Sequence, residues 1–544
     1  MAELNSYQLL SGPQHEQIPS RNQPTHANSA GGGPREDNND LENTVFLPDF
    51  DKSSWTWEGC IIAVIFGMIA SIVCIAFGAH IFISRPNELA YPLSLTSSGK
   101  EVTAFFINLA IALCTDQMAY IHATSLRWAL FRENRLQFST NLRLFCSART
   151  SPPNRWHTNL LYTASLVMCY AASSLLFIVG WNCHVNDSNC GIWLNGAAIC
   201  GLAGHAALGS WCLVSSRDII PTWSSNSLTI TLAAMHTGQI CHRPFRCMCS
   251  AHRAGSSRGP MHPCTRQQNA SRANSSVRYV VAFTWLLAFL AVLWSIAIAL
   301  IARHTQNLIA DTPAWEFIPF WGDSSTDVPF AMSPWVNNSN SSNINYPFGL
   351  QYVLAFLFVC VIQGAQTLGL HCVELVVNTS RDEGLWSKAS IFRAGKLRPK
   401  SGPPLTSKAF ASAALSWENA TLCIFKAALH WLIGLSLIPS VNDDPLKYFE
   451  FDMNYPPLII YVLLAIAFAI FATYLSFRRP YGEQPAAWGH IQTLADLVDD
   501  WGSGKDKLWW GDKGVTVDGI RHAGTGPRRE TLGMIKMDAL YASD

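Results

Sequence analysis

Charged side chains are scarce in this sequence. Its 544 residues include 38 basic and 37 acidic groups, 14% of the total, where an average soluble domain carries roughly 25%. So few charges with so much apolar content exclude a disordered chain and argue against a purely soluble enzyme. The formal net charge is only +1, so no basic excess invites nucleic acid as a partner. Enzyme signatures are missing too: no strong P-loop, dinucleotide fingerprint or His-Glu-x-x-His motif occurs. The first 57 residues hold no long apolar run, so no cleavable signal peptide is expected. The 16 cysteines form no secreted framework. Most lie in or beside apolar segments, where a small buried hydrophobe is the default reading.

Apolar residues, by contrast, make up 49% of the chain, with 20 Trp and 28 Phe, and the mean hydropathy is +0.15. A helix needs roughly 20 such residues to cross a ~30 Å hydrocarbon core. Eight segments qualify: 59–83, 102–123, 160–180, 191–214, 280–302, 350–377, 420–439 and 457–477. The expected fold is all-α, a polytopic transmembrane helix bundle of about eight spans with cytoplasmic amphipathic helices. Residues 1–57, polar and containing Gly31-Gly32-Gly33-Pro34, read as a disordered cytoplasmic tail. The bundle then occupies 58–480, its first span acting as an uncleaved signal anchor. Residues 481–544 form a cytoplasmic tail with one amphipathic helix over 486–501, where Ile491, Leu494, Leu497, Val498 and Trp501 recur at helical spacing.

Lys and Arg concentrate in cytoplasmic loops. The loops after spans two, four and six hold 21 basic residues, and the four alternate loops hold 4. This places both termini in the cytoplasm and leaves plasma membrane or endomembrane open. The seventh segment, which contains Lys426 and His430, decides the parity, and Arg478 with Arg479 after the eighth favours an interior tail. On the exterior, Cys183 and Cys190 are candidates for a local disulfide, with free thiols the alternative. Asn186, Asn337 and Asn340 head glycosylation acceptors on that side.

An ionisable residue within a span is costly and defaults to a functional reading. Three stand out: Asp116 in span two, Glu374 in span six and Lys426 in span seven. At 100° per residue, Gln363, Gln366, Thr367, His371 and Glu374 share an arc of about 140° on span six, the width of one helix face. His430 follows Lys426 by four residues on span seven. Together these residues read either as a polar pathway or small-ligand site between spans two, six and seven, or as a network of interhelical hydrogen bonds. Nothing in their spacing selects a metal or cofactor, and none is expected.

Residues 126–132 mix Trp128 and Phe131 with Arg127 and Arg132, a pattern suited to an interfacial helix drawn to anionic lipid or to a cytoplasmic protein partner. The stretch from Cys241 to Cys264 is rich in Cys and His, but its spacing fits none of the usual structural zinc patterns. Juxtamembrane lipidation is the other reading there.

Segments 126–149 and 242–252, the run Pro485-Ala486-Ala487-Trp488-Gly489-His490-Ile491-Gln492-Thr493-Leu494 and Arg521-His522-Ala523-Gly524 resemble a family of uncharacterised multi-pass membrane proteins from filamentous fungi. The resemblance implies a membrane protein and supplies no activity or catalytic residue. Three function classes stand at this point, all with the lipid bilayer as a partner. They are a scaffold or sensor using the basic loops and tail, a transporter or channel using the stripe on span six, and an intramembrane enzyme.

Overall fold

A backbone buried in lipid must satisfy its own hydrogen bonds, so long apolar runs fold as helices. The computed structural model describes residues 55–85, 89–180, 192–217, 219–255 and 259–309. Within 310–346 it describes only 312–313, 317, 327–328 and 330–332. From 347 to 542 it omits 394–395, 398–401, 404–415, 443–447, 502–506 and 517–518. The disordered reading of 1–57 falls outside these residues as far as 54. At 55 the chain is already helical.

The helices are α1 (Trp55–Ser84), α2 (Ser97–Arg132), α3 (Trp156–Ser174), α4 (Gly196–Gly201), α5 (His205–Ser216), α6 (Ser227–His236), α7 (Ala270–Ala273), α8 (Ser275–Ile309), α9 (Phe348–Trp386), α10 (Trp417–Ser436), α11 (Tyr455–Phe477) and α12 (Ile491–Leu497). Among the described residues, six stretches are long and apolar enough to cross a membrane: Thr56–Ser84, Ser97–Arg132, Gly196–Ser216, Ser275–Ile301, Gly349–Trp386 and Tyr455–Phe477. This is the architecture of a helical integral membrane protein. Helices α3 and α10, of 19 and 20 residues, are more polar and pack against α9. The stretch Gly196–Ser216 is broken between Gly201 and His205. Its glycines bring helices close together, and a Cβ at Gly209 would collide with the Met118 sulfur of α2.

The bundle also contains a sheet, which an all-α expectation did not foresee. Strands β1 (Ala90–Leu93), β2 (Phe177–Gly180), β3 (Ile192–Asn195), β4 (Phe330–Met332), β5 (Leu437–Asn442) and β6 (Tyr448–Met453) pair in the order β1-β3-β2-β5-β6-β4. Strands β2 and β5 run parallel, with Val179 opposite Ser440, and the other pairs are antiparallel. Four of the strands grow from helix ends: β2 follows α3, β3 precedes α4, β5 follows α10 and β6 precedes α11. The expected spans 160–180, 191–214 and 420–439 therefore overrun their helices. A short run such as Leu176-Phe177-Ile178-Val179 is apolar enough for either state. Pro439 biases Ile438 towards extended backbone.

At the opposite end the tail folds onto the basic loops. Ala486, Ala487 and Trp488 are buried, and the Trp386 indole donates to Pro485 O at 2.7 Å. The amphipathic helix is shorter than expected, seven residues instead of sixteen, because Trp488 and Gly489 both take positive φ and turn the chain just before it. Its apolar side chains Ile491, Leu494, Leu497 and Val498 are buried, and α12 packs on α6. A hairpin of β7 (Trp509–Val515) and β8 (Arg521–Gly526) joins the loop after α9, with Trp510 N donating to Ala389 O at 2.8 Å. Residues 126–131 are buried in protein and do not lie on a lipid interface. The Trp128 indole donates to Thr222 O at 3.0 Å and Arg127 Nε to Ser139 O at 2.7 Å.

The hairpin is also clamped by an ion pair that gives it a pH dependence. His522 Nε2 lies 2.7 Å from Asp499 Oδ2. The Asp499 carboxylate, and then the Cys247 thiol, raise the His522 pKa to about 10. Burial alone would push the Asp499 carboxyl up, but hydrogen bonds from His522, Lys513 and Thr525 hold it well below the usual carboxylate range. A raised histidine pKa means stabilisation that is complete below about pH 6.5 and lost as pH climbs through about 10. The gap in melting temperature between the parent and His522→Asn is thus expected to be full at pH 6 and to close above pH 10. A gap that stays constant across that window refutes the pairing.

Candidate functional site

Three helices and one loop build the site. Helix α2 carries Asp116, α9 carries His371 and Glu374, and α10 carries Lys426. Each is a single ionisable group or pair in an otherwise apolar or neutral stretch. The loop between α2 and α3 adds Arg143, which sequence reasoning did not single out among the other loop arginines. This loop is pinned from three directions. Asn159 Nδ2 donates to the carbonyls of Arg143 and Cys146, both at 2.8 Å. Arg127 holds Ser139 O, and the Ser139 hydroxyl donates to Asp382 at the end of α9.

Lys426 is fully buried and bridges the two carboxylates. Its ammonium donates to Asp116 Oδ1 and, at 2.7 Å, to Glu374 Oε1. Arg143 reaches Glu374 from the other side, Nε to Oε2 at 3.1 Å and Nη2 to Oε1 at 3.5 Å. His371 Nδ1 lies 2.6 Å from Glu374 Oε1 and 3.1 Å from Arg143 Nη2. Two cations thus face two carboxylates, so the cluster is formally neutral. Buried charges persist when paired and hydrogen-bonded in this way. Asp116 is the member most open to its surroundings, with 31% of its side-chain surface exposed against 1% for Lys426.

A cavity of about 450 Å³ lies on the basic-loop side of the cluster. Besides Asp116, Arg143, Glu374 and Lys426, its walls include Leu113, Gln117, Arg127, Asn378, Arg381 and Asn419. The charged lining is Arg127, Arg143, Arg381 and Lys426 against Asp116 and Glu374, a formal excess of two positive charges.

Towards the sheet the polar groups continue as a column. Tyr170 stacks on His430 with ring centroids 3.6 Å apart and lies 6.0 Å from the His371 ring. His430 Nδ1 meets Gln363 Oε1 at 2.7 Å, and Gln363 Nε2 donates to Ser174 Oγ at 2.6 Å. Ser174 ends α3, two residues short of β2. Among the described residues, His371 Nε2, Thr367 Oγ1 and His430 Nε2 are buried without a hydrogen-bond partner. Buried polar atoms are rarely left so, and three of them along one column mark a polar interior.

The expected group therefore divides. Asp116, Gln363, Thr367, His371, Glu374, Lys426 and His430 share the column and cluster. Gln366 does not, because it turns towards α8 and α11. An arc of 140° is wide enough for a central helix to face two sets of neighbours. Tyr170, Ser174 and Arg143 were missed, since a span tyrosine, a span serine and a loop arginine are each commonplace alone. Cys183, Cys190, Asn186, Asn337 and Asn340 lie outside the described residues.

The donor atoms of Asp116, His371 and Glu374 fall within 4.8 Å of one another, close enough for a metal ion. The surroundings do not fit one. The Lys426 ammonium already sits between the two carboxylates, and with Arg143 it balances them, so a divalent cation would add two uncompensated charges to a buried site. Among the described residues the Cys and His side chains of 241–264 form no such group.

Comparison of the chain with protein-family models, curated proteins and solved structures finds no match.

Proposed function

We propose that the protein is an eight-span membrane transporter with both termini in the cytoplasm, and that it binds a small anionic solute at the Asp116–Lys426–Glu374–Arg143 cluster. One observation carries this reading: the charged residues of three separate spans meet at the head of a cavity whose lining is net cationic. Helices α3 and α10 supply the two further spans, since 19 and 20 residues cover ~30 Å at 1.5 Å each. Their polar sides are covered by α9, which offsets their lower hydropathy. The described residues of the three basic loops fall on the cavity side, which the positive-inside rule assigns to the cytoplasm.

Asp116 is the exchangeable partner. A carboxylate or phosphate entering the cavity can take its place at Lys426 and also accept from Arg143 Nη1, which has no hydrogen-bond partner among the described residues. Paired charge-assisted hydrogen bonds of this kind are the strong ones. A scaffold role draws less support, because the tail and the basic loops cover one another and leave less surface for a partner.

Thiol labelling tests the pathway. In sealed vesicles of known orientation, Asn378→Cys is expected to react with a membrane-impermeant reagent from the cavity side, and Thr367→Cys to react from both sides as the site turns over. Absence of labelling above the parent's native cysteines, from either side, overturns transport.

A further inference from the structure

On the far side of α9 lies a second cavity, which the ionic cluster does not touch. It occupies about 220 Å³ between α8, α9, α10 and α11. Its walls are hydrocarbon over most of their area, among them Leu287, Ala288, Trp294, Ile362, Leu429 and Phe468. Two of its hydroxyls are already engaged: Thr284 donates to Val281 O at 2.8 Å and Ser436 to Ile433 O at 3.1 Å.

Gln366 is different. Its side chain lines this cavity and is 94% buried, and among the described residues neither its amide nitrogen nor its oxygen has a hydrogen-bond partner. An amide that is both donor and acceptor, set in an apolar wall, is costly unless something pairs with it. Water is a poor candidate. It needs two to four polar partners per molecule and each molecule fills roughly 30 Å³, more than a wall that is hydrocarbon over most of its area readily supplies. A plain hydrocarbon chain fits the walls but leaves the amide unpaired. A carboxylate accepts only, so it satisfies the nitrogen and leaves the oxygen. A hydroxyl answers both, donating to Oε1 while accepting from Nε2.

Access runs through the bilayer. Leu290 and Trp294 line the cavity and are also 48% and 37% exposed on the outer surface of α8, the surface that faces lipid in a membrane bundle.

We infer that this cavity is a binding site for a hydroxyl-bearing lipid, an apolar body whose single hydroxyl pairs with Gln366. Sterols and long-chain alcohols share that chemistry. The inference does not depend on the transport reading, because the ionic cluster lies on the other face of α9.

The test uses the full-length protein in phosphatidylcholine nanodiscs with three photoreactive, clickable probes: a 3-hydroxysterol, a long-chain alcohol and the matching hydrocarbon without the hydroxyl. At least one hydroxylated probe is expected to label peptides of α8 or α11 and to be displaced by its own unlabelled form; which one does so identifies the source. Gln366→Leu keeps the volume and removes the amide. It is expected to cut labelling by that probe at least about tenfold, since the hydrogen bonds to both amide atoms are lost, and to leave hydrocarbon labelling unchanged. Ala288→Leu, which fills the cavity, is expected to reduce labelling by all probes. Melting temperatures of both variants show that they fold. Equal labelling by the hydroxylated and plain probes, or labelling indifferent to both substitutions, overturns the inference and leaves a crevice filled by bulk acyl chains.

Discussion

Replacing Lys426 by methionine is expected to destabilise the protein by about 3–5 kcal/mol, the range seen when one partner is stripped from a buried ion pair. The loss comes less from the missing attraction than from what is left behind. Without the ammonium, Asp116 and Glu374 are two carboxylates sharing one cation, Arg143, in a site where water is scarce. The lower end of the range is the better expectation, because Asp116 keeps nearly a third of its side-chain surface open and recovers part of its hydration. The same reasoning fixes the rescue. Adding Asp116→Asn to Lys426→Met removes the surplus carboxylate, and Arg143 remains paired with Glu374 at 3.1 Å. The double variant is expected to melt well above Lys426→Met alone, although each single change is destabilising. Melting curves of the four purified proteins close this cycle. Effects that simply add would show that Lys426 and Asp116 do not act as a pair.

That pairing was legible in the sequence because charge within an apolar span is conspicuous. Asp116, Glu374 and Lys426 could be named together, and the period of α9 placed His371 and Gln363 beside them. Arg143 could not be found that way. An arginine in a basic loop looks like its neighbours, and what bends this one into the bundle is long-range: Asn159 on α3, Arg127 on α2 and Asp382 on α9. The sheet was hidden for another reason. Strands β2, β3 and β5 continue the apolar runs of their helices, and hydropathy does not mark where a helix stops. Pro439 did mark it for α10, and the adjacent Ile438 opens out into β5 as the residue before a proline should. Gln366 shows the limit of periodicity itself. The period says which residues share a face but not how many partners divide that face.

The tail provides the second large effect, and it reaches the site. Gly489→Ala is expected to cost about 3 kcal/mol and to loosen the loop that carries Arg143. Gly489 has φ of +71°, where an L-residue loses about 1–2 kcal/mol. Space is the larger obstacle. A Cβ there would overlap the Ser139 hydroxyl and come within 2.9 Å of Asp382 Oδ2, so the buried hydrogen bond between those groups must break, at roughly 1.5–3 kcal/mol for a bond to a charged group. The turn cannot move away easily, because the amides of Ala487 and Trp488 are held by Glu383 Oε2 at 2.9 and 2.8 Å. Nor can the loop, since Ser139 N donates to Gly489 O at 2.8 Å and Ile491 N to Gln137 O at 3.0 Å. The tail, the end of α9 and the Arg143 loop therefore yield together. Hydrogen exchange is expected to rise across 137–144 as well as 484–497, and Ser139→Ala in the same chain, which removes the hydroxyl in the way, is expected to restore part of the protection. Faster exchange confined to the tail, with 137–144 unchanged, would mean that the tail is seated beside the site without holding it.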